Sequence, residues 1–155
     1  MEVTICKAEL QDLDTLMEWR MKVLREVFSI PKDMQMSELM EANRNYYKEM
    51  LLNEGHFSCF AWKKDEIIGC GGMCVYKEMP SPDNPTGKCA YLMNIYTRPQ
   101  FRNSGVGEKM VQWLVKQARK KGITKIYLET SDSGRRLYEK TGFTDMHGYM
   151  KLERL

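Results

Sequence analysis

No apolar run in the 155-residue chain is long enough to cross a bilayer. The amino-terminal stretch "MEVTICKAEL" also lacks the apolar core of a secretory signal. These two absences set the expectation of a cytoplasmic location and no membrane partner. Histidine is scarce, with only His56 and His147. Cysteine is odd in number, at Cys6, Cys59, Cys70, Cys74 and Cys89, mostly in apolar, strand-like stretches. "CGGMC" spaces Cys70 and Cys74 like half of a metal site, but no second Cys/His pair completes it. Buried free thiols are expected, rather than disulfides or a zinc centre, and no metal is called for. Charge of one sign is also in short supply. The net charge is +3, with no basic block or stripe. That argues against nucleic acid and is compatible with a small anionic ligand.

The remaining composition, 43% hydrophobic and 29% charged, is ordinary for a globular chain. The length suits one domain over residues 1–155 with a real core. "VTICKA" alternates as a first strand, Val3 to Ala8. Asp12 stands where it can cap a helix running to about Phe28, with Leu13, Leu16, Met17, Leu24, Val27 and Phe28 at helical spacing. Pro31 interrupts, and Ser37 precedes a second helix that ends near Gly55. "HFSCFAW", "KKDE" and "IIGCGGMCVY" read as a hairpin. The segment "KEMPSPDNPTGK" holds Pro80, Pro82 and Pro85, so it reads as a surface loop, either a solvated connection or the wall of a substrate site.

"CAYLMNIYT" is nearly continuous in apolar residues, as a strand buried on both faces would be. Pro99 stops its pairing. A helix follows over "GVGEKMVQWLVKQARKK", with Val106, Met110, Leu114 and Ala118 on one face and Gly122 at its carboxyl end. "TKIYLETS" is a further strand, and "SGRRLYEK" a short helix closed by Gly142. "GFTDM" and "GYMKLERL" are final strand candidates. The order predicts an α/β fold, a mixed sheet flanked by helices.

Gly105 and Gly107 lie one residue apart, between the buried strand and the strong helix. A helix start carries free N–H groups and partial positive charge, and glycine lets an anion approach them. This suggests a phosphate or pyrophosphate cradle, with Arg102 as a cation and Asn103 and Ser104 as donors. The dinucleotide fingerprint fails, because its third glycine position holds Met110. The P-loop pattern fails too: Gly87-Lys88 is followed by Cys89, and Pro82 replaces the upstream glycine. Two glycines that only sharpen a turn remain an open reading of the local pattern.

Arg102-x-x-Gly105-x-Gly107 directly follows a strand ending in proline, and about thirty residues later comes "LYEKTGF", Leu137 to Phe143. Together these motifs resemble the GNAT superfamily of acyl-CoA-dependent N-acetyltransferases. The element order along the chain fits that fold as well, a mostly antiparallel sheet with a splayed parallel strand pair. The resemblance implies acetyl-CoA as co-substrate and direct transfer of its acetyl group to a primary amine of a small molecule or peptide. The cofactor-binding positions it implies are Ile95, Tyr96 and Thr97, whose backbone pairs with the pantetheine arm, and the loop Arg102, Asn103, Ser104, Gly105, Val106, Gly107 and Glu108. Ile95 is also the implied donor to the acetyl carbonyl. Tyr138 is the implied acid for the leaving thiolate. Glu129 matches a glutamate some relatives use as base, with a solvated strand carboxylate as its plain alternative. Ser131 and Ser133 stand where relatives often carry a cofactor-touching asparagine, and Glu108 is expected to point outward from the pyrophosphate. The first two helices, their loop and the last strands would shape the acceptor pocket, with Met34, Met36, Tyr46 and Tyr47 as wall or core. A homodimer is one assembly open to this fold. The alternative function is a non-catalytic acyl-CoA-binding sensor or interaction module.

Overall fold

The computed structural model describes residues 1–154. Along the chain come β1 (Thr4–Ala8), a 3₁₀ turn (Leu10–Asp12), α1 (Leu13–Val27), α2 (Ser37–Leu52), β2 (His56–Lys63) and β3 (Glu66–Lys77). After them come β4 (Lys88–Thr97), a 3₁₀ turn (Pro99–Phe101), α3 (Val106–Lys120), β5 (Lys125–Leu128) and α4 (Arg135–Lys140). The strands form one five-stranded sheet in the order β1-β2-β3-β4-β5. Every neighbouring pair is antiparallel except β4 and β5, which run parallel from Cys89↔Lys125 to Leu92↔Leu128. The fold class expected from the sequence is the one observed.

The two faces of the sheet hold separate apolar clusters. On one face α3 buries Val106, Met110, Val111, Leu114 and Ala118 against Phe57, Ile68, Met73, Ala90 and Leu92. On the other, α1 and α2 bury Leu16, Met17, Trp19, Val23 and Tyr47 against Phe60, Cys70 and Tyr96. β4 supplies residues to both clusters, which is why its sequence reads as nearly continuous in apolar residues. The three most buried cysteines, Cys59, Cys70 and Cys89, pack inside the sheet as free thiols; Cys74 is half-buried and Cys6 exposed.

Two expectations are corrected. Asp12 does not cap α1 with its side chain; its Oδ2 accepts the Glu9 N–H at 2.8 Å instead, closing the 3₁₀ turn that precedes the helix. "GFTDM" and "GYMKLERL" form no strand among the described residues. Gly142 and Gly148 both take left-handed backbone, at φ +100° and +86°, and break the extended run. From Thr144 to Arg154 the chain is exposed, with Met150 and Leu152 almost fully so.

The proline-bearing loop between β3 and β4 is surface chain, as expected, but it is anchored. Asn84 is buried, and its Nδ2 donates to the Lys88 carbonyl and to Glu78 Oε1 at 3.1 and 3.2 Å. Glu78 in turn pairs with Lys125 of β5 at 2.8 Å. The loop thereby borders a groove of about 1000 Å³ that runs along β5 to α4 and to Tyr149.

Candidate active site

The parallel pair sets the site. β4 continues five residues beyond Leu92, to Thr97, whereas β5 ends at Leu128. The outer backbone of residues 93–97 therefore has no strand beside it, while the other edge stays paired with β3, Gly72 to Met93 and Gly69 to Thr97. Between those pairs β4 holds one residue more than β3. The extra residue is accommodated by Asn94 in left-handed backbone, φ +59°. The bulge falls where the two parallel strands part. Beyond it the Ile95 side chain faces α3, and Tyr96 points to α1, where its hydroxyl donates to Glu26 Oε2.

The chain then turns through Pro99–Phe101 into the glycine loop. Asn103 and Gly105 are both left-handed, at φ +61° and +86°. Gly105 occupies the position before α3 and gives it no side-chain cap, so the first N–H groups of the helix are left for another acceptor. A Cβ on Gly105 would meet no heavy atom within 4 Å. The space before the helix start is open, and glycine is required there by φ alone. At Gly107 the reason is different: a Cβ would stand 3.1 Å from Leu137 Cδ2. Glu108 lies along the helix and accepts from Gln112 Nε2 at 3.4 Å, pointing away from the helix start as expected. Ser104 Oγ donates to the Phe101 carbonyl at 2.5 Å, tightening the turn.

Arg102 is not free in this loop. Its Nε donates to the Thr97 carbonyl at 2.8 Å, its NH2 pairs with Glu26 at 3.1 Å, and its guanidinium stacks on the Tyr96 ring. The Tyr96 hydroxyl and Arg102 together hold the Glu26 carboxyl below its ordinary range, against some opposing desolvation. Arg102 thus braces the end of β4 against α1.

Across the opening lies α4. Tyr138 is half-buried, with its ring edge-on to Phe143 at 6.1 Å between centroids. Burial first, then the neighbouring Tyr91, raises the Tyr138 phenol above its ordinary value. Tyr91 is raised by burial and by the Glu129 carboxylate. The charge states of Tyr91, Glu129 and Tyr138 are therefore linked, and the last two are the residues the sequence singles out for proton transfer. Glu129 is exposed and sits one residue past the end of β5. Ser131 Oγ lies 3.0 Å from Ser133 Oγ in the exposed turn before α4. Reading the sequence did not single out Tyr91. Its placement comes from the fold: Tyr91 and Tyr127 face each other in register on the parallel strands, with rings 5.1 Å apart.

A second polar group lies on the α1/α2 face and was also missed. His56 is buried; its Nδ1 is 2.7 Å from the Tyr46 hydroxyl and its Nε2 2.9 Å from Ser58 Oγ. The Tyr46 hydroxyl is also 3.0 Å from Cys74 Sγ. Burial, reinforced by the charge of Arg20, lowers the His56 imidazole to about 4. Of the proposed pocket wall, Tyr47 belongs to the core, Tyr46 is half-buried, Met36 is half-buried and Met34 is exposed. Arg25 holds their loop by donating to the Pro31 and Met34 carbonyls at 2.7 and 3.0 Å. Among the described residues no three His, Cys, Asp or Glu side chains gather as a metal site.

A sheet whose one parallel pair opens beside an uncapped, glycine-led helix defines an acetyltransferase-type architecture. The Acetyltransferase (GNAT) family model matches residues 14–143, and the chain belongs to that family. Among solved structures, a predicted acetyltransferase with acetyl-CoA from Clostridium acetobutylicum is 27% identical, with a TM-score of 0.84 over 98% of this chain and 96% of that one. A GCN5-related N-acetyltransferase from Ralstonia eutropha JMP134 shares the fold at 19% identity, with a TM-score of 0.81 over 98% of this chain and 99% of that one. Among curated proteins, the uncharacterized N-acetyltransferase YsnE of Bacillus subtilis (strain 168) is 31% identical over 54% of this chain and 52% of its own length. A glucosamine 6-phosphate N-acetyltransferase of Trypanosoma brucei brucei is 24% identical over 56% of this chain and 57% of its own. The chain spans about half the length of these curated relatives.

Proposed function

We propose that this protein is an acetyl-CoA-dependent N-acetyltransferase acting on a primary amine of a small molecule or peptide. The observation that carries the reading is the pairing gap. β4 runs on past Leu92 with its outer edge free, directly beside a helix start whose N–H groups have no side-chain cap. A long thioester ligand ending in phosphates fits these two features in one stroke. Its amide arm can take the place of the missing strand along Ile95, Tyr96 and Thr97. Its diphosphate can accept from the N–H groups of Gly105, Val106, Gly107 and Glu108, approaching through the space a Gly105 side chain would fill. Asn103 and Ser104 border that loop, and Ser131 lies on the far side of the opening, before α4.

When bound, acetyl-CoA supplies an acetyl group activated as a thioester. The protein's own share is placement and proton transfer. The Ile95 N–H is the assigned donor to the acetyl carbonyl. Tyr138, kept protonated by its burial, holds the proton the departing sulfur takes. Glu129 removes a proton from the attacking amine, its carboxylate raising the neighbouring Tyr91 phenol by charge. The curated relatives, both named as N-acetyltransferases, support an amine acceptor.

The test is thiol release from acetyl-CoA across a panel of amines, run beside calorimetric titration with acetyl-CoA. Turnover with at least one amine supports the reading. Tight binding without turnover on any amine would make the protein an acyl-CoA sensor instead.

A further inference from the structure

Arg20 lies on α1 and is half-buried. Its Nε donates to Asn43 Oδ1 on α2 at 3.0 Å, and its NH1 donates to Asn94 Oδ1 at the β4 bulge at 2.9 Å. Both acceptors are neutral amides. Among the described residues no carboxylate lies within 4 Å of this guanidinium. The other half-buried arginines differ: Arg44 meets Asp14 at 3.3 Å, Arg98 meets Glu66 at 2.8 Å, and Arg25 closes on two main-chain carbonyls. Tyr46, Tyr47, His56 and Cys70 feel the charge of Arg20, and all four are uncharged at neutral pH. A partly desolvated cation held only by neutral dipoles keeps most of its charge uncompensated. Two of its five N–H bonds are used, which leaves donors for a planar or tetrahedral anion.

Its position gives this meaning. Asn94 is two residues past Leu92, the last β4 residue paired with β5, and its side chain turns to the α1/α2 face, opposite α3. Arg20 therefore presents positive charge on that face of the sheet, at the point where the parallel strands part. Resting on the transferase reading above, we infer that the acceptor amine carries an anionic group, a carboxylate or a phosphate monoester, which Arg20 binds on the α1/α2 side of the cleft. Asn43 and Asn94 hold the guanidinium in place, and the anion supplies the missing counter-charge.

The experiment offers amines in matched pairs, a carboxylate against its primary amide and a phosphate monoester against its free alcohol. Acetyl transfer is followed by thiol release, and binding of the same compounds by calorimetry on the protein without acetyl-CoA. In the wild type, the anionic member of one pair should exceed its neutral partner about tenfold or more in kcat/KM and in affinity, as for a charge-assisted hydrogen bond. The pair that shows the preference identifies carboxylate or phosphate. In Arg20→Gln the ratio should fall toward one. Because Arg20 also steadies the bulge, Asn43→Asp serves as the second variant: it keeps the side-chain shape, supplies an internal carboxylate to Arg20, and should likewise erase the preference. Equal rates within both pairs in the wild type, or an Arg20→Gln loss that is the same for charged and neutral members, would overturn the inference. Arg20-dependent binding of an anionic amine with no transfer to any amine would overturn the transferase reading and leave Arg20 as the group that binds the ligand's anion.

Discussion

A Cβ on Gly107 would come within 3.1 Å of Cδ2 of Leu137. This contact joins the two stretches on which the family resemblance rests, the glycine loop and "LYEKTGF", by direct packing of α4 on the start of α3. Tyr138 follows Leu137, so the seat of α4 also sets where that phenol stands.

At Gly107, alanine should be nearly neutral. The methyl of Leu137 can give by a few tenths of an ångström, and alanine's better helix propensity, up to about 1 kcal/mol, offsets the crowding. Gly107→Val adds bulk that cannot be absorbed and should destabilise by about 1–3 kcal/mol, with a fall in kcat as α4 is displaced. Urea unfolding and initial rates check both. A valine variant as stable and active as the wild type would show that the contact is slack.

Gly105 separates backbone strain from ligand approach. Gly105→Val forces a β-branched residue to φ +86° and should lose about 1–3 kcal/mol of stability. Gly105→Asn tolerates that conformation better and should stay close to wild-type stability. Its side chain still fills the open space before α3, so acetyl-CoA affinity should drop about tenfold or more, or about 1.4 kcal/mol. Wild-type affinity in the folded asparagine variant, by calorimetry, would remove the diphosphate from this loop.

Tyr138→Phe keeps the ring and its packing on Phe143 but deletes the proton. The expected loss is in kcat, at the lower end of general acid catalysis, about 10²-fold, because a free thiol with a pKa of about 8.5 leaves tolerably without help. Affinity for acetyl-CoA should hardly change. The raised phenol pKa also predicts that Tyr138 does not limit the rate until pH exceeds about 10, its ordinary value. A pH–rate profile and single-turnover kinetics test both statements; a variant with normal kcat would leave Tyr138 as a packing residue.

His56 should make stability depend on pH. Its folded value of about 4 lies below the ordinary 6.5, so between them the unfolded chain binds more protons. The contribution is fully present above about pH 6.5 and is lost as pH falls toward 4. Its size is on the order of 3 kcal/mol. Other carboxyls titrate in the same range, so the measurement is a difference: the urea midpoint of wild type minus that of His56→Gln, at pH 7 and at pH 4.5. The gap should narrow at the lower pH, and a gap independent of pH would mean that His56 does not titrate against the fold.

What could be read from the sequence was whatever short-range pattern determines. The α3 face repeats at 3.6 residues, β4 is apolar on both sides, and Gly105 and Gly107 open a helix with no side chain in the way; each is a local constraint that survives without knowledge of neighbours. From these came the mixed sheet and the glycine loop; the parallel strand pair was implied only by the family resemblance that the two motifs carry. The carboxyl-terminal segment misled because its alternation is a property of single residues, whereas strand formation needs a paired edge, and Gly142 and Gly148 turn the chain away from one. Only the tertiary structure could show that Gly107 is small for Leu137, that Arg102 is committed to Thr97 and Glu26, and that Tyr91 is linked electrostatically to both Glu129 and Tyr138. Those are contacts between elements far apart in the chain, and no local periodicity encodes which side chains meet. The same holds for Arg20: an arginine on an amphipathic helix is unremarkable in sequence, and the role proposed for it arises only because folding sets it against Asn43 and Asn94 with no carboxylate in reach among the described residues.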